Sequence, residues 1–570
     1  MASDGDLVVF QNSTADNMME SKTVPFYDKN YTFITDSTSN SGSFSSGQVQ
    51  FDLSTLNSQS QWINLVEAVI EFPVKITATI TTAGTGSETT KTIAAINTAV
   101  IKNGWHQFID GCQLIINGNT IQSTQPFENV AAQFRILSTW SQDCLTKWGP
   151  TCGFALDDCT ADSDVSTTIS NTVNLGNATY STVAASVKGL DVINNQSSLF
   201  NKGVQTRASF TNYDISPASA NLQTTILGAA AMKTAGRNHV GSTAAGSNTA
   251  NTSIYSAYYM ATCRLKDLCD INDFPCVKNL KGYLYLSFNS TQINLTGTAG
   301  AATLSAVTVT PSTGRTCPIL INNSSTGILL GNYATTAPVV QIVASVDATT
   351  TGAAGSAGPL LTTGRMLVPY YLANPRTDSV LSQSNKFFSS MEKIVNPITV
   401  TAGSSINYTI SVGIPNPRKL LLLPMWQNLG GTSYLTNPEV SPFDSVPGTS
   451  GPFAVLNNLQ VYLGNKPIYQ NPIQYDFEQW NNENSSLGLN GQLINEQTSG
   501  LLSEQLFEQN HRFYYVDLAR RMESEDGASK SVQVSFQNPS SSFGMKVIAI
   551  VFYEKQWIID TATCQLQNVK

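Results

Sequence analysis

One pattern occurs twice and constrains this chain more than any other. Ile109–Gln122 reads IDGCQLIINGNTIQ, and Leu456–Tyr469 reads LNNLQVYLGNKPIY; the two align without a gap at an offset of 347 (456 − 109). Asp110 falls on Asn457, Gln113 on Gln460, Leu114 on Val461, Ile116 on Leu463, Asn117-Gly118 on Gly464-Asn465, and Ile121 on Ile468. Asn-Gly or Gly-Asn between alternating apolar runs signals a tight hairpin, because these residues accept the positive φ of primed turns. A hairpin repeated this far apart points to one domain present in two copies.

The flanks repeat as well. Trp62–Ile76 (WINLVEAVIEFPVKI) precedes the first hairpin and Pro417–Trp426 (PRKLLLLPMW) the second, each a long apolar strand with a proline near its end. Downstream, Arg264–Leu268 and Lys281–Asn289 (KGYLYLSFN) match Tyr515–Leu518 and Lys530–Asn538 (KSVQVSFQN), where the offset has shrunk to 249 (530 − 281). The first copy therefore holds an insertion of about 98 residues (347 − 249), placed at 150–255, a Ser/Thr/Ala/Asn-rich stretch. Its low charge and its length inside a compact unit argue for short strands there rather than a disordered linker.

Many short apolar runs separated by turn residues, with no βαβ alternation, predict an all-β antiparallel sandwich fold in each copy. The expected organisation is an arm over 1–40, a first domain over 41–351, a linker over 352–364 and a second domain over 365–570. Within the first domain, Phe44–Leu53 and Trp62–Thr79 read as strands. Pro126–Trp148 reads as helical, with Val130, Phe134 and Leu137 on one face. TCPILI and VVQIVASV, within 307–363, read as further strands, and PIQYDFEQWNNEN as a helix after the second hairpin.

Chemistry is sparse. His106, His239 and His511 are scattered, and no HxH, HExxH or CxxC occurs. Cys263, Cys269 and Cys276, like Cys144, Cys152 and Cys159, are spaced too widely for a structural zinc site. Asp157-Asp158 and Glu523 with Glu525 are carboxylate pairs that read as solvated turns rather than as a glycosidase pair facing one cleft. There is no nucleophile elbow or phosphate-binding glycine loop. His511 reads as a surface residue or strand-end cap. Arg520-Arg521 after Tyr514-Tyr515 reads as a strand end with an ion pair rather than as a base-stacking patch. The dense aromatics of the second copy, from Tyr475 to Trp557, read as core; any excess on exposed strand ends would mark subunit contacts. No catalytic, cofactor-binding or metal residue is assigned, and no enzymatic role is expected.

Composition narrows partners. Charged residues make up 12% of the chain, against about 25% in typical soluble domains, which suits a surface packed against neighbours. The net charge is −8 and no terminus is basic, so direct nucleic-acid binding is not expected. The nine cysteines, an odd number, with no apolar N-terminal signal segment, read as reduced thiols of a protein made in the cytoplasm. No apolar run approaches the roughly 18 residues of a membrane span.

Several stretches are similar to a known family. RMLVPYYLANP (365–375), NPRKLLLLPMW (416–426), LNNLQVYLGNKPIYQNPIQYDFEQW (456–480), RFYYVDLARR (512–521), SVQVSFQN (531–538) and VFYEKQWIIDTATCQ (551–565) resemble the double jelly-roll major capsid proteins of virophages and polinton-like viruses. GSFSSGQVQFDL (42–53), RLKDLCDINDFPCVKNLKGYLYLSFN (264–289) and TCPILI (316–321) extend the resemblance into the first copy. It implies two tandem eight-stranded jelly rolls with short helices and homotrimers of pseudo-hexagonal outline. It further implies an icosahedral shell around double-stranded DNA, penton and minor capsid proteins as partners, and a virion location. The competing reading of the polar, Thr/Asn-rich surface is a secreted carbohydrate-binding or adhesin sandwich.

Overall fold

The computed structural model describes residues 26–37, 44, 47–57, 60–81, 99–157, 203, 206–207, 239–245, 252–271, 273–297, 304–321, 339–349, 363–382, 385–427, 437–442, 445–450, 454–485, 500–519 and 528–569. In chain order the first half forms β1 (Phe26–Thr35), β2 (Gln48–Asp52), β3 (Gln61–Ile63), β4 (Val69–Thr81) and β5 (Ala99–Ile101). The first hairpin follows as β6 (Ile109–Ile116) and β7 (Asn119–Gln122), then helices α1 (Glu128–Thr139) and α2 (Gln142–Cys152). Next come β8 (His239–Ala245), β9 (Thr252–Arg264), the one-turn α3 (Leu265–Leu268), β10 (Gly282–Phe288), β11 (Thr291–Gly297), β12 (Leu304–Pro311), β13 (Ile319–Ile321), β14 (Val339–Val346) and β15 (Arg365–Ala373). The second half comprises α4 (Pro375–Leu381), β16 (Asn385–Val400), β17 (Ser405–Pro415), β18 (Pro417–Gln427), and the second hairpin, β19 (Asn457–Leu463) with β20 (Lys466–Pro467). It closes with α5 (Phe477–Ser485), α6 (Glu504–Gln509), β21 (Tyr514–Asp517), β22 (Ser529–Gln537), β23 (Gly544–Asp560) and β24 (Leu566–Asn568).

The two halves share one strand order. In the second, one sheet runs β16-β23-β18-β21 and the other β17-β22-β19-β20. Counted along the chain, these are roll strands 1-8-3-6 and 2-7-4-5, the double Greek key of a jelly roll. In the first, β2-β10-β6-β7 gives 2-7-4-5, and β1-β15-β4 with β9 on the far side of β4 gives 1-8-3-6. The chain is thus a double jelly roll, and the two hairpins occupy the same place in both rolls. Both turns take the paired positive φ expected of them: Asn117 48° and Gly118 79°, Gly464 56° and Asn465 66°.

The first roll carries its extra strands on β4. Strand β9 covers one edge of β4 along its full length. The other edge holds β15 at Val69–Glu71 and β14 at Val74–Thr81, and β14 leads on to β11 and β12. TCPILI and VVQIVASV therefore fold, as β13 and β14, into an addition between the seventh and eighth strands of the roll.

Several boundaries depart from the sequence expectation. Arg365–Ala373 does not open the second domain; it is the eighth strand of the first roll, paired with β1, β3 and β4. The reason is non-local: Met366 and Val368 are fully buried and fill the gap between β1 and β4. Likewise, the expected arm over 1–40 contains β1, the first strand of the roll; residues 1–25 lie outside the described set. Of the expected linker over 352–364, only 363–364 are described, and they enter β15. The crossing between rolls is α4, begun by Pro375 and capped by the Asn374 side chain, which accepts from the Arg376 amide. The strand expected over Phe44–Leu53 starts at Gln48, and that over Trp62–Thr79 is two strands, β3 and β4. The helix over Pro126–Trp148 is two helices, broken at Trp140-Ser141, where Ser141 caps α2 through the Cys144 amide at 3.2 Å. Of the insertion at 150–255, residues 158–202, 204–205, 208–238 and 246–251 lie outside the described set; its end supplies β8 and the start of β9.

Each roll buries alternating side chains. Leu284, Leu286 and Phe288 of β10, and Val532, Val534 and Phe536 of β22, point inward while their neighbours are half-exposed. Leu420–Leu423 of β18 and Val547–Val551 of β23 are instead buried without alternation. Their sheet is covered on both faces, which is what continuous apolar strands require.

Candidate functional site

What covers that outer face is part of the other roll. Helix α1, from the first roll, places Phe134 against Phe513 (6.1 Å), Tyr515 (5.8 Å) and Phe552 (6.4 Å) of the second. Val130, Ile136, Leu137, Trp140 and Phe154 belong to the same core as Leu420 and Ile550. The exchange is reciprocal: Phe388, Trp557, Ile559 and Cys564 of the second roll belong to the core of the first. Phe388 stacks on Trp557 at 6.4 Å and meets Phe274 edge-on at 5.1 Å.

Polar contacts lock the same junction. The first hairpin's turn is held by the C-terminal segment: Asn117 donates to the Cys564 carbonyl and Asn119 to that of Leu566, both at 3.2 Å. Lys102, fully buried, donates to the carbonyls of Ser441 (2.6 Å) and Val446 (2.8 Å), and Gln133 donates to that of Gly448 (2.7 Å). The loop between β18 and β19 is thereby seated on the first roll, where the Ile321 amide also donates to the Pro442 carbonyl at 2.7 Å. Trp62 donates to Asp378 of α4 at 2.8 Å, and Lys278 pairs with the same carboxylate.

At the centre lies a buried charge network. Glu128 of α1 pairs with Lys393 of β16 and lies 3.6 Å from Arg135. Burial pushes Lys393 below its ordinary range, against the pull of Glu128. One residue along, Glu392 accepts from the Ser123 amide (3.1 Å) and the Tyr553 hydroxyl (2.6 Å) and pairs with Lys555. Burial raises the Glu392 carboxyl, but these donors outweigh it and hold the pKa below the usual carboxylate range. Arg264 forks onto Asp267 through two 2.8 Å bonds and lies over Trp140, 4.5 Å from the ring centre. A cleft of about 470 Å³ between the rolls is lined by Arg135, Arg264, Asp267, Asp270, Lys419 and Glu554, among others. Buried ion pairs are costly to break but modest in net stabilisation; across a junction they fix register.

The residues singled out in the sequence are placed as follows. His106 is buried, 2.9 Å from the Gln133 amide oxygen, and His511 is buried rather than at the surface, 3.3 Å from the Asp157 carbonyl. Burial lowers both to about 4. The side chain of His239, and Asp158, Cys159, Arg520, Arg521, Glu523 and Glu525, lie outside the described set. Asp157 does not sit in a solvated turn: it is buried and paired with Arg207 at 2.7 Å. Tyr514 and Tyr515 are buried, so they present no stacking surface. Among the described residues, no His/Cys/Asp/Glu group could hold a metal ion, and no helix is long and apolar enough to cross a membrane.

The most exposed aromatics lie elsewhere, on strands read as an arm or left unmarked. Tyr27, Tyr31 and Phe33 of β1 are 67%, 64% and 60% exposed, and Phe387 of β16 is 74% exposed. β1 and β16 are the first strands of their rolls and end their sheets; each pairs with one neighbour, β15 and β23 respectively, among the described residues. Lys29 lies 5.7 Å from the Tyr31 ring and 5.3 Å from that of Tyr371, and pairs with Glu67 at 2.6 Å. An edge strand carrying exposed aromatics is a pairing hazard unless something covers it. The alternation FYDKNYTFIT was the available signal.

No protein-family model matches the chain, and no curated protein matches its sequence. Among solved structures, it is similar to a chain of the Sputnik virophage, determined by cryo-EM, at 12% identity, covering 96% of this chain and 89% of that one, with a TM-score of 0.45. It is similar to the mavirus major capsid protein at 10% identity, covering 96% and 92%, with a TM-score of 0.42. It is also similar to the Faustovirus major capsid protein at 9% identity, covering 93% and 90%, with a TM-score of 0.41.

Proposed function

We propose that this chain is a viral major capsid protein: a structural subunit, with no catalytic role, that assembles as homotrimeric capsomers tiling an icosahedral shell around double-stranded DNA. The observation that carries the reading is the pair of rolls with identical strand order, joined through exchanged core residues into one block. A block of two like rolls presents two similar sides. Three such blocks around an axis present six, a pseudo-hexagon that tiles a surface. The sequence motifs that resemble double jelly-roll capsid proteins agree with this reading.

The exposed aromatic edges of β1 and β16 supply the contact between copies. Permanent assemblies bury roughly 2,000–5,000 Å² or more, and aromatic anchors are enriched in such contacts. The acidic balance leaves genome contact to other virion components, and penton and minor capsid proteins are the expected partners. Size-exclusion chromatography with light scattering on the purified full chain tests the proposal. The expected mass is that of three chains, or of larger shell fragments; a monomer persisting at micromolar concentration overturns it.

A further inference from the structure

We propose that Cys112 and Cys269 are a disulfide-forming pair that crosslinks the first roll when the chain folds in the presence of a disulfide oxidant. Their Sγ atoms lie 3.1 Å apart, closer than two sulfurs in ordinary contact. Both residues are fully buried. Cys112 stands on β6, and Cys269 directly follows α3, where its amide closes the turn on the Leu265 carbonyl at 2.8 Å. The amide of Gln122 ties the two backbones together, donating to the carbonyls of Cys112 (3.4 Å) and Leu268 (3.5 Å). Arg135 also donates to the Leu268 carbonyl. The two thiols therefore face each other on clamped backbones, and a bond of roughly 2.05 Å requires only a small further approach.

The chemistry balances as thiol–disulfide exchange with a small-molecule disulfide or a thiol oxidase. The thiolate of one cysteine attacks a sulfur of the oxidant and expels one thiolate. The second cysteine's thiolate then attacks the mixed disulfide and expels the other. One S–S bond forms in the chain, the oxidant's S–S bond is reduced to two thiols, and these take up the two protons. In the folded chain, the hydrogen bond to Cys269 and burial push the Cys112 thiol far above its ordinary range, so exchange accompanies folding rather than follows it. Once the roll closes, the bond is shielded from reductant.

The crosslink would join residues 157 apart in sequence, enclosing β7, α1, α2, β8, β9 and α3. A loop of that length loses much of its unfolded-state freedom when closed. The device belongs to one roll only: the position aligned with Cys112 (112 + 347) is Leu459.

The test is to refold the full chain with oxidised glutathione, block free thiols in denaturant, digest without reductant and map the peptides by mass spectrometry. The expected product is a linked pair of peptides carrying Cys112 and Cys269, two hydrogens lighter than the separate thiols, with melting several degrees above the dithiothreitol-treated chain. The Cys112→Ala/Cys269→Ala variant should lose that redox dependence of melting; if it does not fold, the wild-type peptide map decides. Recovery of both cysteines fully alkylated after oxidative refolding, or linked to other partners, overturns the proposal.

Discussion

The two hairpins are built alike and live in different surroundings. In the first roll, β6 is buried along most of its length and its turn is gripped by the C-terminal segment through Asn117 and Asn119. In the second, Gly464, Asn465, Lys466 and Pro467 are exposed, and the Gly464 amide donates to the Ser531 carbonyl of the roll's own β22 at 2.8 Å. The same divergence holds at larger scale. The first roll sends out helices and an extra set of strands, and receives the end of β23 and the loop between β18 and β19. The second keeps its eight roll strands, with only the short β24 added on β23, plus short helices. The difference teaches that strand order was retained in both copies, while the connections became specialised for holding the copies together.

The comparison breaks most severely where one roll enters the core of the other. Phe134→Ala empties a site against three aromatic rings and should cost about 3–5 kcal/mol. Glu128→Ala or Lys393→Ala strands a buried charge and should also cost about 3–5 kcal/mol. The double replacement Glu128→Leu/Lys393→Met should recover most of that loss. Chemical denaturation monitored by tryptophan fluorescence measures all of these; single replacements as mild as surface changes would show that the rolls are merely tethered.

Acid is the next lever, and it acts on both rolls. Burial depresses His106 and His511 to about 4 in the folded chain, against about 6.5 when unfolded. Stability is therefore intact above pH 6.5 and lost as the pH falls from 6.5 towards 4, because the unfolded chain takes up protons the folded one refuses. Each histidine should contribute roughly 3 kcal/mol to that loss. Denaturation midpoints measured across this window should fall steeply, and His511→Gln should flatten the slope.

A finer contrast separates the hairpins themselves. Asn117→Ala and Asn465→Ala both force alanine into positive φ, at about 1–2 kcal/mol. Asn117→Ala also loses its bond to the Cys564 carbonyl, about 1 kcal/mol more, so its melting temperature should drop further. The smallest effect on stability belongs to Phe33→Asp on the exposed edge, within about 0.5 kcal/mol. The same change should abolish self-association seen by light scattering, separating assembly from folding.

Local structure was legible in the sequence because it rests on short-range pattern. Asn-Gly and Gly-Asn located both turns, and alternation in KGYLYLSFN and KSVQVSFQN located the closing strands. The errors share one cause. Arg365–Ala373 and Phe26–Thr35 pair with each other across more than 300 residues, and nothing local in either announces the partner. For the same reason Arg365 read as a beginning and residues 26–35 as an arm. Nothing local marks Lys102 and Lys393 as buried; their partners lie 339 and 265 residues away. His511 and Asp157 follow the same pattern: the buried His511 ring lies 3.3 Å from the Asp157 carbonyl, 354 residues away, and the buried Asp157 carboxylate pairs with Arg207, 50 residues away.

Electron microscopy of the purified full chain tests most directly whether two matched rolls make one building block. Two-dimensional class averages of the assembled particle should show three copies around an axis with a six-lobed outline, each copy contributing two lobes of similar size. Averages showing single two-lobed particles, or two rolls at variable separation within one chain, would contradict the account.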